Sequence, residues 1–160
     1  MAFPDLISIA DFGGDFSPFI DAVYQIYLDE VVNVGLMFEG KPVRFRFQPL
    51  SDGKGSGFWH AVSEGSPSGL EEDRTVDMRR CERISWVAHL IRNVRADGGG
   101  DVRWWKTKRS GATRVVIWMP AESFALVLEE RNDFCLFVTC YCVRSHRAKT
   151  FDAEHADYWA

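Results

Sequence analysis

From about residue 102 onward the chain alternates apolar and polar positions with a period of two, and short turn-forming stretches interrupt it. The segments 102–108, 113–119, 124–130 and 134–143 are separated only by Arg109-Ser110-Gly111, Pro120-Ala121-Glu122 and Asn132-Asp133. Successive side chains of a strand point to opposite faces, so this alternation gives each segment one apolar face. Connections this short leave no room for a crossover, so each strand must turn back along the one before it. The pattern predicts a four-stranded antiparallel meander.

The residues before it follow other periods. Residues 1–14 read as an irregular lead-in that ends in Phe12-Gly13-Gly14. Ser17 suits an N-cap with Pro18 at the first helical position, and Phe19, Val23, Ile26, Tyr27 and Val31 carry a helical stripe to about Asn33. Leu36-Met37-Phe38 and Val43 to Phe47 flank Glu39-Gly40-Lys41-Pro42 and read as a hairpin, with Phe45 and Phe47 facing one way and Arg44 and Arg46 the other. Polar loops at 51–57 and 63–75 bracket an expected strand at 58–63. Cys81, Ile84, Ala88, Ile91 and Val94 mark the buried stripe of a helix over 78–94, which Asp97-Gly98-Gly99-Gly100 ends. A terminal helix is expected over 146–160. Together these segments predict a single α+β domain over 1–160, with helices packed on one face of a four-stranded antiparallel sheet and an additional N-terminal hairpin.

Composition narrows the class. A chain of 160 residues with 46% hydrophobic content can bury a core without disulfides or metals. A net charge of −4 has the wrong sign for a protein that coats nucleic acid nonspecifically, although arginines can still cluster locally. Cys81, Cys135, Cys140 and Cys142 offer no C-x-x-C spacing, and the bland reading is reduced thiols in a cytoplasmic protein. Neither a signal peptide nor a membrane span is expected. The histidines and acids have no metal-ligand spacing, and Gly98-Gly99-Gly100 follows a helix instead of opening one, so neither a metal nor a phosphate-cradling loop is expected. No cofactor is implied.

One charged run stands out against apolar neighbours: Asp77-Met78-Arg79-Arg80-Cys81-Glu82-Arg83-Ile84-Ser85-Trp86, shortly after Phe58-Trp59-His60-Ala61-Val62. It gathers guanidiniums, a carboxylate and an imidazole, the equipment for binding a phosphate or carboxylate group. Arg80 and Arg83 lie i, i+3 on one helix face, where they could hold a phosphate bidentately or pair with Asp77 and Glu82.

The pieces Gly57-Phe58-Trp59-His60, Arg79 to Trp86, Thr113 to Trp118 and Phe137 to Tyr141 resemble small phage- and mobile-element-associated proteins grouped with the barnase–EndoU–colicin–RelE-like nuclease fold. The resemblance runs in order over residues 36 to 155. It implies a metal-independent endoribonuclease scaffold, often a toxin, with catalytic residues on an open sheet face, RNA as substrate and an inhibitor protein or a second copy as partner. The acidity of this chain departs from the basic character of many such toxins.

Metal-free RNA cleavage needs a base for the 2′-hydroxyl, an acid for the leaving 5′-oxygen and cations for the transition state. Histidine ordinarily titrates near neutrality, so His60 is the leading acid–base candidate. As a strand residue it would share a face with Phe58 and Val62; the competing reading is a half-buried structural histidine. Glu82 would orient the arginines or act as a base, and Arg83 would join it. Arg114 falls in register with Val116 and Trp118, an unusual place for a guanidinium unless it meets an anion. Thr139 and Tyr141, expected on the face of Phe137, could donate to a phosphate. Trp104, with Trp105, Lys106, Lys108 and Arg109, interleaves aromatics and cations as stacking surfaces do. The readings set against the nuclease are a noncatalytic interaction module on the same scaffold and a binder of small carboxylates.

Overall fold

Asp15, not Ser17, starts the first helix: its side chain accepts the Ser17 N–H at 3.3 Å. In this computed structural model, which describes residues 3–160, α1 spans Phe16–Ile26 and runs on as wider π-type turns over Tyr27–Val32. Pro18 sits in the first turn, where its missing N–H breaks no helical bond. Phe19, Val23, Tyr27 and Val31 are fully buried, the stripe expected from the sequence.

The hairpin follows as β1 (Met37–Phe38) and β2 (Lys41–Arg44). Its turn is Glu39-Gly40 alone, both with positive φ (49° and 78°), so Lys41 and Pro42 belong to the strand. The second strand ends at Arg44, short of the expected Phe47. Phe45 leaves the sheet to stack on Phe137 with ring centroids 5.5 Å apart, while Phe47 is exposed.

The segment expected as a strand at 58–63 is a helix, α2 (Ser56–Val62). Phe58, Ala61 and Val62, at i, i+3 and i+4, are buried on one side, while Trp59 and His60 lie half-buried. A short apolar run satisfies both periods, and here the helical one wins. His60 therefore does not share a face with Phe58 and Val62. A two-residue ladder follows, β3 (Ser63–Glu64) against β4 (Thr75–Val76), with a 3₁₀ turn at Glu71–Asp73 between them. The expected helix over 78–94 is two short ones, α3 (Met78–Glu82) and α4 (Trp86–Arg92). Between them the bonding tightens to i→i−3, with Trp86 N donating to Arg83 O at 2.9 Å. Cys81, Ile84, Ala88 and Ile91 are buried as expected.

The meander appears as β5 (Arg103–Arg109), β6 (Ala112–Met119), β7 (Phe124–Glu130) and β8 (Cys135–Cys142), each antiparallel to the next. It is not the whole sheet. The hairpin joins it through β2, parallel to β8 at Val43↔Cys135 and Arg44↔Leu136. The result is a six-stranded mixed sheet in the order β1-β2-β8-β7-β6-β5, in place of the four-stranded sheet with a separate hairpin. The α+β class holds.

Helices cover both faces, not one. Val115, Ile117, Phe124, Leu126, Leu128 and Phe137 pack with the earlier helices into the main core. On the opposite face Trp105, Val116, Trp118 and Ala125 receive Phe151 from α5 (Ser145–Trp159), the expected terminal helix. A register shift in β8 pairs Val127 with Thr139 but Leu128 with Phe137. The extra residue, Val138, reverses the alternation, so Tyr141 packs with the α5 cluster while Phe137 stays in the main core. The expectation that Thr139 and Tyr141 share the face of Phe137 therefore fails. Among the described residues, no helix is long and apolar enough to cross a membrane.

Phe151 is fully buried and meets Trp105 and Trp118 edge to face, with centroids 5.0 and 5.4 Å away. Phe151→Ala should lower the unfolding free energy by about 3–5 kcal/mol in urea titration. A loss below about 1 kcal/mol would mean that α5 is not docked on this face.

Candidate functional site

His60 projects from the outer side of α2, and its Nε2 lies 3.0 Å from Oε1 of Glu71, on the 3₁₀ turn Glu71–Asp73. The backbone beneath it is anchored: Thr139 Oγ1 donates to the His60 carbonyl at 2.7 Å, and Cys140 Sγ lies 3.2 Å from the Ala61 carbonyl. These bonds fasten the C-terminal carbonyls of α2, which no further helical turn could satisfy, to β8.

His60 opens onto a cleft of roughly 260 Å³ whose polar walls are Arg46, Gln48, Glu71, Arg114 and Glu129. Arg114 reaches it from β6, opposite Glu129 of β7 in the register. Its Nε is 3.8 Å from Glu129 Oε1 and, though buried, has no hydrogen-bond acceptor among the described residues. Glu129 instead engages Arg131 closely. A guanidinium carries five N–H donors, so Arg114 keeps donor capacity for an anion entering the cleft. A second hollow of roughly 370 Å³, lined by Leu50, Trp59, Glu72 and Arg74, shares Pro49, Ser56 and Glu71 with the first. Arg74 is engaged in holding β3, donating to Ser63 Oγ and Ser63 O at 2.9 and 2.7 Å.

Of the residues singled out in the sequence, His60 and Arg114 meet in this cleft, and Thr139 supports it from behind. Tyr141 and Thr139 line a neighbouring cleft that Arg114 also borders. The others lie outside. Arg80 is almost wholly buried, donates from Nη1 to Ser63 O at 2.6 Å and pairs with Asp77 at 3.3 Å, which makes it a brace between β3 and α3. Arg83 bonds Glu82 at 3.2 Å and stacks over Trp86 at 5.2 Å. The Arg80–Glu82–Arg83 group is thus occupied by its own neighbours. Trp104 is buried, edge to face with Phe38 and Trp159, and offers no free ring for a base. Lys106 is clamped between Glu39 and Glu130, each 2.7 Å away. Glu71, Arg46 and Glu129 complete the cleft but had no signal of their own in the sequence. Glu71 lies in a Ser-, Gly- and acid-rich loop that reads as solvated linker.

The remaining reactive groups are quiet. All the cysteines are free. Burial pushes the thiols of Cys81 and Cys140 up to about 12, which leaves them as inert core residues. Among the described residues, no group of three or more His, Cys, Asp or Glu side chains could hold a metal ion. Compared with known protein families, characterised proteins and solved structures, the chain has no match.

The Lys106 clamp makes a pH-dependent contribution to stability. The hydrogen bond from Lys106 holds the Glu130 carboxyl below the usual glutamate range, against a smaller opposing effect of burial. Partial burial disfavours the Lys106 ammonium, but the bonds to Glu130 and Glu39 outweigh it and raise its pKa. A lowered carboxyl pKa stabilises the fold above the ordinary glutamate value, about 4.3, and that contribution is lost as pH falls through the folded value. Urea midpoints measured from pH 7 to pH 3 should fall more steeply below about pH 4.3 for the wild type than for Lys106→Met. Parallel curves would show that the clamp does not couple to folding.

Proposed function

We propose that the chain is a metal-independent endoribonuclease acting through the cleft between α2 and the sheet. The observation that carries this reading is the convergence of His60, paired with Glu71, and an incompletely partnered Arg114 on one cavity. An imidazole and a carboxylate 3.0 Å apart supply an acid and a base side by side. The Glu71 carboxylate takes the proton of the 2′-hydroxyl as that oxygen bonds to phosphorus. The P–O5′ bond breaks, and the His60 imidazolium gives its proton to the departing 5′-oxygen. The products are a 2′,3′-cyclic phosphate and a free 5′-hydroxyl, and exchange with water resets both groups. Arg114, with Arg46 also lining the cleft, meets the negative charge that builds on the non-bridging oxygens, where a preorganised donor is worth about 10²–10³ in rate.

A second reading, a noncatalytic interaction module, draws on the exposed Phe47, Leu50 and Leu70 around the Glu71 turn. It predicts that His60 and Arg114 are dispensable for whatever partner binds there.

Wild type and His60→Ala incubated with total RNA in EDTA between pH 5 and 8 decide between them. Cleavage by the wild type should leave 2′,3′-cyclic ends, stop at a 2′-deoxy position and fall at least about 10²-fold in His60→Ala. Arg114→Ala should fall by a similar factor. RNA left intact by a wild type that is folded by circular dichroism would overturn the enzyme reading, as would equal cutting by His60→Ala.

A further inference from the structure

Arg114 belongs to two cavities at once. Beyond the His60 cleft, on the α5 side of the sheet, it borders a second cleft of roughly 230 Å³ with Arg109, Tyr141, Arg147 and Glu154. Arg109 ends β5, two positions beyond Thr107, which pairs directly with Arg114. Alternation along β5 puts Arg109 on the face of Trp105, the face that α5 covers. Arg147 comes from the first turns of α5, lies over the Phe151 ring at 5.0 Å and stands beside the Tyr141 hydroxyl. Arg109 and Arg147 are exposed, and no ion pair among the described residues involves either. Glu154 is the opposing carboxylate in the cleft, so the guanidiniums leave it cationic. Elsewhere Lys106, Arg80, Arg83, Arg95 and Arg103 each face a carboxylate.

We propose that this cleft is a second phosphate subsite, in which Arg109 and Arg147 hold backbone phosphates of single-stranded RNA beyond the one at Arg114. The strand then runs from the His60 cleft across the sheet face toward the start of α5. This rests on the ribonuclease reading for the identity of the ligand. It adds a direction and a length, because a substrate spanning both clefts must extend past the nucleotide at the scissile bond. Arg109 and Arg147, which no ion pair among the described residues holds, supply the exposed cations that backbone tracking requires.

The test uses a fluorescent single-stranded 2′-O-methyl RNA dodecamer, which cannot be cleaved through a 2′-hydroxyl, and anisotropy titrations over a range of salt. Removing one cation that neutralises a phosphate of a single strand lowers the slope of log K against log salt by about 0.7, so R109A/R147A should be shallower than wild type by about 1.4. The control, R144A/K149A, removes the same charge from exposed positions of α5 and its N-cap outside the cleft and should keep the wild-type slope. R109K/R147K should restore most of it. An unchanged slope in R109A/R147A, an equal drop in the control, or no binding by the wild type would overturn the subsite. The cleavage assay with His60→Ala is a separate readout. Intact RNA combined with a shallower slope in R109A/R147A would remove the catalytic reading and support the subsite, whereas cleavage combined with an unchanged slope would do the reverse.

Discussion

The outer edge of β8 is the constraint on which the molecule turns. β2 pairs with β8 only through Cys135 and Leu136 and then leaves the sheet at Arg44. Past that point an exposed strand edge would offer its backbone groups to any passing chain. α2 closes part of it, and the bonds that hold it there run from Thr139 and Cys140 to the carbonyls of His60 and Ala61. The same contacts that protect the edge therefore set where His60 stands. A device for keeping a sheet from aggregating also holds an imidazole beside the open end of the sheet face, within reach of Glu71.

Electrostatics then separates the site from its surroundings. The net charge of −4 argues against a nucleic-acid surface only if every cation counts equally, and in this fold they do not. Lys106 lies between two carboxylates, Arg80 braces β3 and Arg83 is held by Glu82 and Trp86. Pairing of this kind removes those cations as anchors for an anion. Of the guanidiniums that line the two clefts, Arg46 lies in the His60 cleft, Arg109 and Arg147 lie on the α5 side with no ion pair among the described residues, and Arg114 borders both. Local imbalance, not total charge, is the quantity that bears on a phosphate.

The parts of the fold legible in the sequence were those with a long, single period. The four meander segments sit within a residue or two of their expected bounds, because each carries enough alternations to exclude a helix. Residues 56–62 offered no such length: Phe58, Ala61 and Val62 fit a helix, and the aromatics fit a strand equally well. Nothing local announced Val138 as the extra residue of a bulge, and one unpaired position was enough to move Thr139 and Tyr141 off the face of Phe137. At the site, His60 and Arg114 stood out because each is a polar residue among apolar neighbours. Glu71 is an acid in an acidic loop and acquires meaning only when folding brings it to His60. The Arg80–Arg83 cluster failed for the opposite reason: its density was a sign of internal bracing, which spacing alone cannot tell from an open anion site.

The two walls of the cleft are also tied to each other, through backbone. Gly57 N donates to Arg46 O at 2.9 Å, and a Cβ at position 57 would stand 2.8 Å from that same oxygen and 3.1 Å from the Tyr27 hydroxyl. Only glycine lets α2 approach the strand tail this closely, so the segment bearing Arg46 and the helix bearing His60 sit as one packed unit. Tyr27 is buried beneath both, among Phe45 and Phe58. The cleft therefore has one wall fixed by a backbone contact. Its remaining wall, the exposed turn bearing Glu71, hangs from a two-residue ladder. The His60–Glu71 contact thus joins a residue on a helix packed against the sheet to one on an exposed turn, so the position of the carboxylate depends on the short ladder more than that of the imidazole does.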